Sequence, residues 1–364
     1  MIDAPHNPLA SGTDFKLGVF SANADGGLAI TTVPERWRAS WADNVAAVRA
    51  AEDGGLDFFL PIARWRGFGG ETRVREHSFE TFTWAAALSA LTTRMAIFAT
   101  VHVPLVHPIY AAKALATVDH VSGGRAGLNI VCGWNPQEFA MFGVTPDEEA
   151  YARAAEWITI IERAYQEDAP FDFDGNYYAL KGVSSRPSSV QRPRPLTMNA
   201  AFGDPGRTFA ARHCDMLFST FTDIEDGAKH VRDMEARSAA AGREVGVYTV
   251  AHVVCRPTQD EAEAVYHRYA YAEADHAALE AHMSGKRAFS KSHDEAAYVS
   301  HAKRFAGGAG SYPLIGTPQK IADDLVAIGA KGYRGAALSF LNYTDELPFF
   351  CATVLPLLRE AGIR

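Results

Sequence analysis

The 364-residue chain reads as one α/β domain, a parallel (βα)₈ or TIM barrel spanning residues 1–364. Three observations predict it. Short β-rich runs alternate with longer helical patterns, as parallel βα units require. Polar side chains collect where those runs end, and barrels of this kind build their active sites at the C-terminal ends of the strands. The length also fits, because such a barrel takes about 250 residues and leaves roughly 100 for loop insertions.

The strands are expected at Lys16–Ser21, Asp57–Ala63, Met95–Val103, Ala126–Cys132, Leu196–Ala200, Met216–Thr220, Val247–Cys255 and Gly335–Phe340. Each is rich in β-branched or aromatic residues or is a short apolar run, the pattern of a strand buried on both faces. Helical patterns fall between them at Ser40–Glu52, Ser78–Leu91, Pro108–Val121, Tyr151–Tyr165, Pro205–Arg212, Ile224–Ala241, Gln259–Glu273 and Pro318–Ala330, and Leu347–Glu360 closes the chain. Two insertions interrupt this rhythm. About residues 167–195, Phe171–Leu180 reads as a hairpin with Asp174-Gly175 at its turn, followed by a Pro/Ser/Arg loop. About residues 274–312 there is a long stretch containing Gly307-Gly308-Ala309-Gly310, of the length usually found in lids or disordered segments.

Composition removes several classes of function. The chain is 48% hydrophobic with a formal charge of -8, and it has no apolar run near the roughly 20 residues that cross a bilayer. Nucleic acid and membrane are therefore not the expected partners; a small molecule is. Cys132, Cys214, Cys255 and Cys351 are widely spaced, with neither a disulfide framework nor zinc spacing. No metal is expected, because neither His102 nor His107 has a carboxylate or third His at ligand spacing. No basic segment followed by an apolar core marks the N-terminus as a signal peptide, so a cytoplasmic enzyme is expected.

Residues 125–138, RAGLNIVCGWNPQE, are the most informative stretch. An apolar strand carries one amide, Asn129, and runs into a Gly-Trp turn and a capped helix. Burying an amide unpaired costs about 1–3 kcal/mol, so Asn129 needs a ligand or a hydrogen-bonded neighbour. Other strand ends bring Ala63, Arg64, Arg66 and Phe68, then Thr100 and His102 with His107 beyond, then Phe202 and Gly203, towards one rim. Plainer roles exist for each. Asn135-Pro136-Gln137-Glu138 is the pattern of a capping box with Glu138 at N3. Thr100 suits any strand, Trp134 any core, and Arg64, Arg66 and His77 any surface. His102 and His107 could instead reach substrate as donors or as acid catalysts of near-neutral pKa.

The runs RGFGG, FATVHVPLVHP, GGRAGLNIVCGWNPQEF and Tyr151-Ala-Arg153, with Leu314–Pro318 later, resemble the bacterial-luciferase-like flavin monooxygenases. The closest branch holds pyrimidine-ring-opening and dimethyl sulfone monooxygenases. The resemblance implies a barrel using FMN as FMNH₂, supplied by a separate NAD(P)H-dependent flavin reductase, together with O₂. It places flavin contacts at Ala63, Arg64, Asn129, Glu138, Tyr151 and Arg153, and phosphate near Gly203, where the branch carries a Ser. Gly203 opens a helix whose free amides suit phosphate without that hydroxyl. Thr100 and Asn129 correspond to the catalytic pair flanking O₂ beside flavin N5, and the implied oxidant is a flavin-N5-peroxide that cleaves a carbon–heteroatom bond. Phe68, His102, His107, Trp134, Phe202 and the more distant Tyr343 would line a pocket for a compact, weakly charged substrate. A homo-oligomer is implied as well. The alternatives are a flavin or deazaflavin (F420) hydride-transfer oxidoreductase, or a non-catalytic flavin-binding barrel.

Overall fold

The computed structural model describes residues 3–10, 12, 14–133, 135–145, 149–289 and 304–364. Eight parallel strands close into a barrel: β1 (Lys16–Phe20), β2 (Phe58–Leu60), β3 (Ala96–His102), β4 (Ala126–Val131), β7 (Leu196–Ala200), β8 (Met216–Ser219), β9 (Gly246–Cys255) and β11 (Gly335–Ser339). Closure comes from β8 pairing with the first residues of β9, whose later residues pair with β11. All eight expected strands are present. The hairpin is present too, as β5 (Phe171–Asp174) and β6 (Ala179–Val183), its turn held by the Glu156 carboxylate, which accepts from the amides of Asn176, Tyr177 and Tyr178 at 2.7, 2.9 and 3.2 Å.

The helices packed outside the barrel are α1 (Trp41–Gly54), α2 (Thr81–Ser89), α3 (Pro108–Ser122), α4 (Pro136–Met141), α5 (Ala150–Gln166), α6 (Asp204–His213), α7 (Ile224–Ala240), α8 (Gln259–His267), α9 (His276–Phe289), α10 (Phe305–Gly308), α11 (Pro318–Ala330) and α12 (Tyr343–Glu360). Their starts follow local chemistry. Ser40 and Thr258 form reciprocal capping boxes with Asp43 and Glu261, and Pro stands in the first turn of α3, α4, α6 and α11.

The second insertion differs from the expectation of a long loop. Its described part folds into α9, α10 and a ninth strand, β10 (Tyr312–Gly316), which pairs with the outer half of β9. β9 is ten residues long, twice the length of β7 or β11, so its far end projects past the barrel and needs a partner.

Large side chains plug the lower interior: Phe58, Phe98, Met198, Met216, Phe218 and Tyr248 pack together. Two glycines make room for them. A Cβ on Gly18 would lie 2.4 Å from the Phe58 ring, and one on Gly127 would lie 2.5 Å from the Phe98 ring. This plug confines any ligand to the upper end of the barrel. Gly127→Ala is therefore expected to destabilise the fold by about 1–3 kcal/mol through overpacking. Urea denaturation should show the loss; an unchanged midpoint would mean that the plug is not tightly packed.

Candidate active site

Strand periodicity sorts the residues at the barrel's upper end. Phe98 points into the plug, so Thr100 and His102, two and four residues further along β3, point inward above it. Thr100 stands in register with Asn129 on β4, which points inward as well. All three are buried. The Thr100 hydroxyl donates to the Pro61 carbonyl at 2.6 Å, and its oxygen faces Asn129 Nδ2 at 3.4 Å. Because that hydroxyl proton is committed to Pro61, the Thr oxygen is an acceptor, which orients the Asn129 amide with its nitrogen towards Thr100. Asn129 Oδ1 is left buried with no hydrogen-bond partner among the described residues.

Glu138 is fully buried and organises the rim. One carboxylate oxygen accepts from Arg64 Nη1 at 3.0 Å and from the amides of Trp65 and Arg66 at 2.9 and 3.2 Å. The other oxygen, Oε2, lies 3.6 Å from His102 Nδ1, too far for a hydrogen bond, and both atoms are without partners among the described residues. The expected capping box does not form. Asn135 caps α4 by accepting from Gln137 at 3.1 Å, while the Glu138 side chain turns away from its own helix to hold the loop after β2. Nothing local distinguishes the two uses of a Glu at N3, so the sequence pattern alone favoured the nearer one.

His102 also departs from expectation. Burial, reinforced by the Arg64 charge, pushes its pKa down to about 3, so it is neutral at physiological pH and is not a near-neutral acid catalyst. Three unpartnered buried atoms, Asn129 Oδ1, Glu138 Oε2 and His102 Nδ1, thus arise from adjacent elements at the mouth. Ala63 lies buried at the end of the β2 unit, next to Arg64.

Other expected residues fall into separate places. Tyr151 is near the start of α6: a Cβ on Gly206 would come 2.5 Å from its hydroxyl, whose pKa burial pushes up, keeping it a neutral donor. Gly203 is the N-cap of α6 and offers no side-chain cap. Arg153 does not join them. Two residues along α5 from Tyr151, it faces the hairpin, with its guanidinium 4.9 Å from the Tyr177 ring. Together with His107 and Tyr178 it lines a cleft of about 460 Å³ bounded by Val103–Val106, Val144 and Thr145. Neither Thr100 nor Asn129 lines that cleft. His107 is the N-cap of α3, accepting from the Ile109 amide at 3.3 Å. Phe68 is stacked against His282 of α9 with ring centroids 3.8 Å apart, and Phe202 is half exposed beside α6. Tyr343 is buried and donates to the Phe20 carbonyl at 2.5 Å. Trp134 lies outside the described residues.

Two expectations follow. Removing one partner of a buried ion pair strands the other, at a cost of about 3–5 kcal/mol. Glu138→Ala should therefore destabilise more than Arg64→Met, because it removes at once the carboxylate that accepts from Arg64 and from two loop amides; equal losses on chemical denaturation would contradict the clamp. The depressed His102 pKa has a definite sign. Stability is full above about pH 6.5, the ordinary His value, and is lost progressively towards pH 3, because the unfolded chain takes up a proton that the folded one refuses. His102→Gln should remove about 1.4 kcal/mol per pH unit from the slope of unfolding free energy in that window. An unchanged slope would show that His102 titrates normally.

The matches to known proteins agree with this geometry. Residues 15–334 match the family model described as luciferase-like monooxygenase. The chain is 30% identical to the pyrimidine monooxygenase RutA of Cronobacter turicensis, over 94% of its own length and 92% of the relative's. It is likewise 30% identical to an FMNH₂-dependent dimethylsulfone monooxygenase of Pseudomonas putida, over 95% of each chain. Among solved structures, riboflavin lyase RcaE with modified FMN and riboflavin superposes with a TM-score of 0.84 at 22% identity, covering 96% of this chain and 92% of that one; this likeness concerns the fold. The chain belongs to the luciferase-like monooxygenase family.

Proposed function

We propose that this chain is the oxygenase component of a two-component FMNH₂-dependent monooxygenase that cleaves a carbon–heteroatom bond in a small substrate. The observation that carries the proposal is the inward Thr100–Asn129 pair with Asn129 Oδ1 buried and unpartnered at the barrel mouth. The similarity to FMNH₂-dependent relatives supplies the cofactor and, with it, the need for a flavin reductase as partner.

The residues present fit a reduced flavin. Asn129 Oδ1 and Glu138 Oε2 are buried acceptors that lack donors, and a reduced flavin carries ring N–H groups and ribityl hydroxyls. Its phosphate would sit at the start of α6, where the first amides have no side-chain cap and the Tyr151 hydroxyl is close by. When bound, the flavin supplies the two electrons and O₂ supplies the oxygen atom.

Thr100 and Asn129 divide their work. The Asn129 amide nitrogen is the donor that can stabilise negative charge developing on oxygen in a dry pocket. The Thr100 hydroxyl, with its proton on Pro61, fixes the orientation of that amide. Glu138 and Arg64 hold the facing loop, and neutral His102 adds a polar wall without competing for a proton. Arg153 and His107 line the cleft beside the hairpin, apart from Thr100 and Asn129.

A reductase-coupled assay with sulfones, amides, heterocycles and haloarenes under ¹⁸O₂ tests the reading, with one labelled oxygen expected in the product. Asn129→Ala should lower product per FMNH₂ oxidised by about tenfold or more with an unchanged circular dichroism spectrum. Thr100→Val should cause a smaller loss. No labelled product in any class, or unchanged coupling in Asn129→Ala, would contradict the proposal.

A further inference from the structure

Arg75 is a buried cation without a counter-charge. It is 3% exposed, and three contacts place its guanidinium: Nε donates to the Gly27 carbonyl at 2.9 Å, Nη2 to the Leu28 carbonyl at 3.2 Å, and Nη1 faces His282 Nδ1 at 3.4 Å. Among the described residues no carboxylate is within ion-pair distance of it. Carbonyls satisfy its hydrogen bonds but leave its charge uncompensated, and buried charges are ordinarily paired. Arg64 stands nearby but is itself paired with Glu138. The two guanidinium carbons lie 4.9 and 5.8 Å from the same Phe68 ring. Burial, and then repulsion from Arg64, lower the pKa of Arg75 to about 9, which still leaves it charged at neutral pH.

The backbone points the same way. Arg73 and Arg75 have φ of 51° and 60°, in the left-handed region that residues with a Cβ rarely occupy. Strain of this kind persists where the surrounding structure enforces it, and it clusters at ligand clamps. The location is also the relevant one. Gly27 and Leu28 belong to the loop after β1 and Arg75 to the loop after β2, both at the C-terminal end of the barrel. Arg64, earlier in the second loop, acts electrostatically on His102 inside the mouth. The proposed flavin phosphate seat is elsewhere, after β7, so Arg75 is not needed for that anion.

We propose that Arg75 is the anion-recognition residue of the substrate site and that the substrate carries a small oxyanion, a carboxylate or a sulfonate. The proposal deepens the monooxygenase reading and depends on it only for the statement that the bound anion is the substrate. A planar guanidinium fork matches a carboxylate or sulfonate edge. The Arg75–His282 contact is the one the anion would replace, since at 3.4 Å it is the longest of the three. It also revises the expectation of a weakly charged substrate.

Thermal unfolding of the flavin-free full-length protein tests this without turnover. Benzoate and methanesulfonate would be titrated against their neutral counterparts benzamide and dimethyl sulfone at constant ionic strength. The anions should raise the midpoint saturably and the neutral compounds should not, with the stronger of the two anions identifying the headgroup. Arg75→Gln should weaken the apparent affinity at least about tenfold, and Arg75→Lys should weaken it less. Equal stabilisation by neutral compounds, no stabilisation by either anion, or undiminished anion binding in a folded Arg75 variant would overturn the proposal. If Arg75→Gln does not fold, the neutral comparison and Arg75→Lys decide. Anion binding without FMNH₂-dependent turnover would sink the monooxygenase reading and leave Arg75 as an anion site; turnover of neutral substrates alone would do the reverse.

Discussion

The upper end of this barrel depends on one buried carboxylate. Glu138 joins two segments, the short helix α4 and the loop after β2, and its second oxygen faces His102 on the inner side of β3 without bonding to it. α4 is six residues long, too short to be stable by itself. The loop at 64–66 directs two backbone amides at that carboxylate. One carboxylate oxygen satisfies both amides and Arg64, so the geometry of the mouth is fixed by a charge-assisted network. Burial keeps His102 neutral, and the Arg64 that the network holds in place adds to this by disfavouring a second cation there.

Below this clamp the interior is apolar and filled; above it the inward positions become polar. The change occurs within two residues on β3, from Phe98 to Thr100, and on β4 from Gly127 to Asn129. Gly127 accommodates the Phe98 ring, so the plug and the site are packed from the same two strands. The plug is therefore a packed floor beneath the mouth, and Thr100 and Asn129 stand on strands just above it. Such placement favours fixed donors over mobile ones, as stabilising developing charge requires.

Much of this was legible in the sequence. The strands and outer helices follow from apolar runs separated by Gly, Pro and capping residues, and Asn129 stands out because an amide in an apolar strand must be accounted for. Two kinds of feature were not legible. Glu138 satisfies a local capping pattern and a long-range clamp equally well, and only the tertiary fold selects the clamp. The helix α9 and the strand β10 come from a segment whose glycines suggest a loop, and the need that orders β10 is the projecting end of β9, which no local pattern reveals. The burial of Arg75 has no local signal either, because it comes from the packing of the loops after β1 and β2. Tyr151 and Arg153 were expected to act together, and helix periodicity places them on different faces.

The central claim is that reduced flavin binds in the mouth bounded by Arg64, Asn129 and α6. Anaerobic hydrogen–deuterium exchange with and without photoreduced FMN measures this most directly. The account predicts added protection of the backbone amides at 64–66, 129–133 and 203–207, with none at the separate cleft of residues 103–107. Protection confined to that cleft, or no protection at saturating FMNH₂, would contradict it.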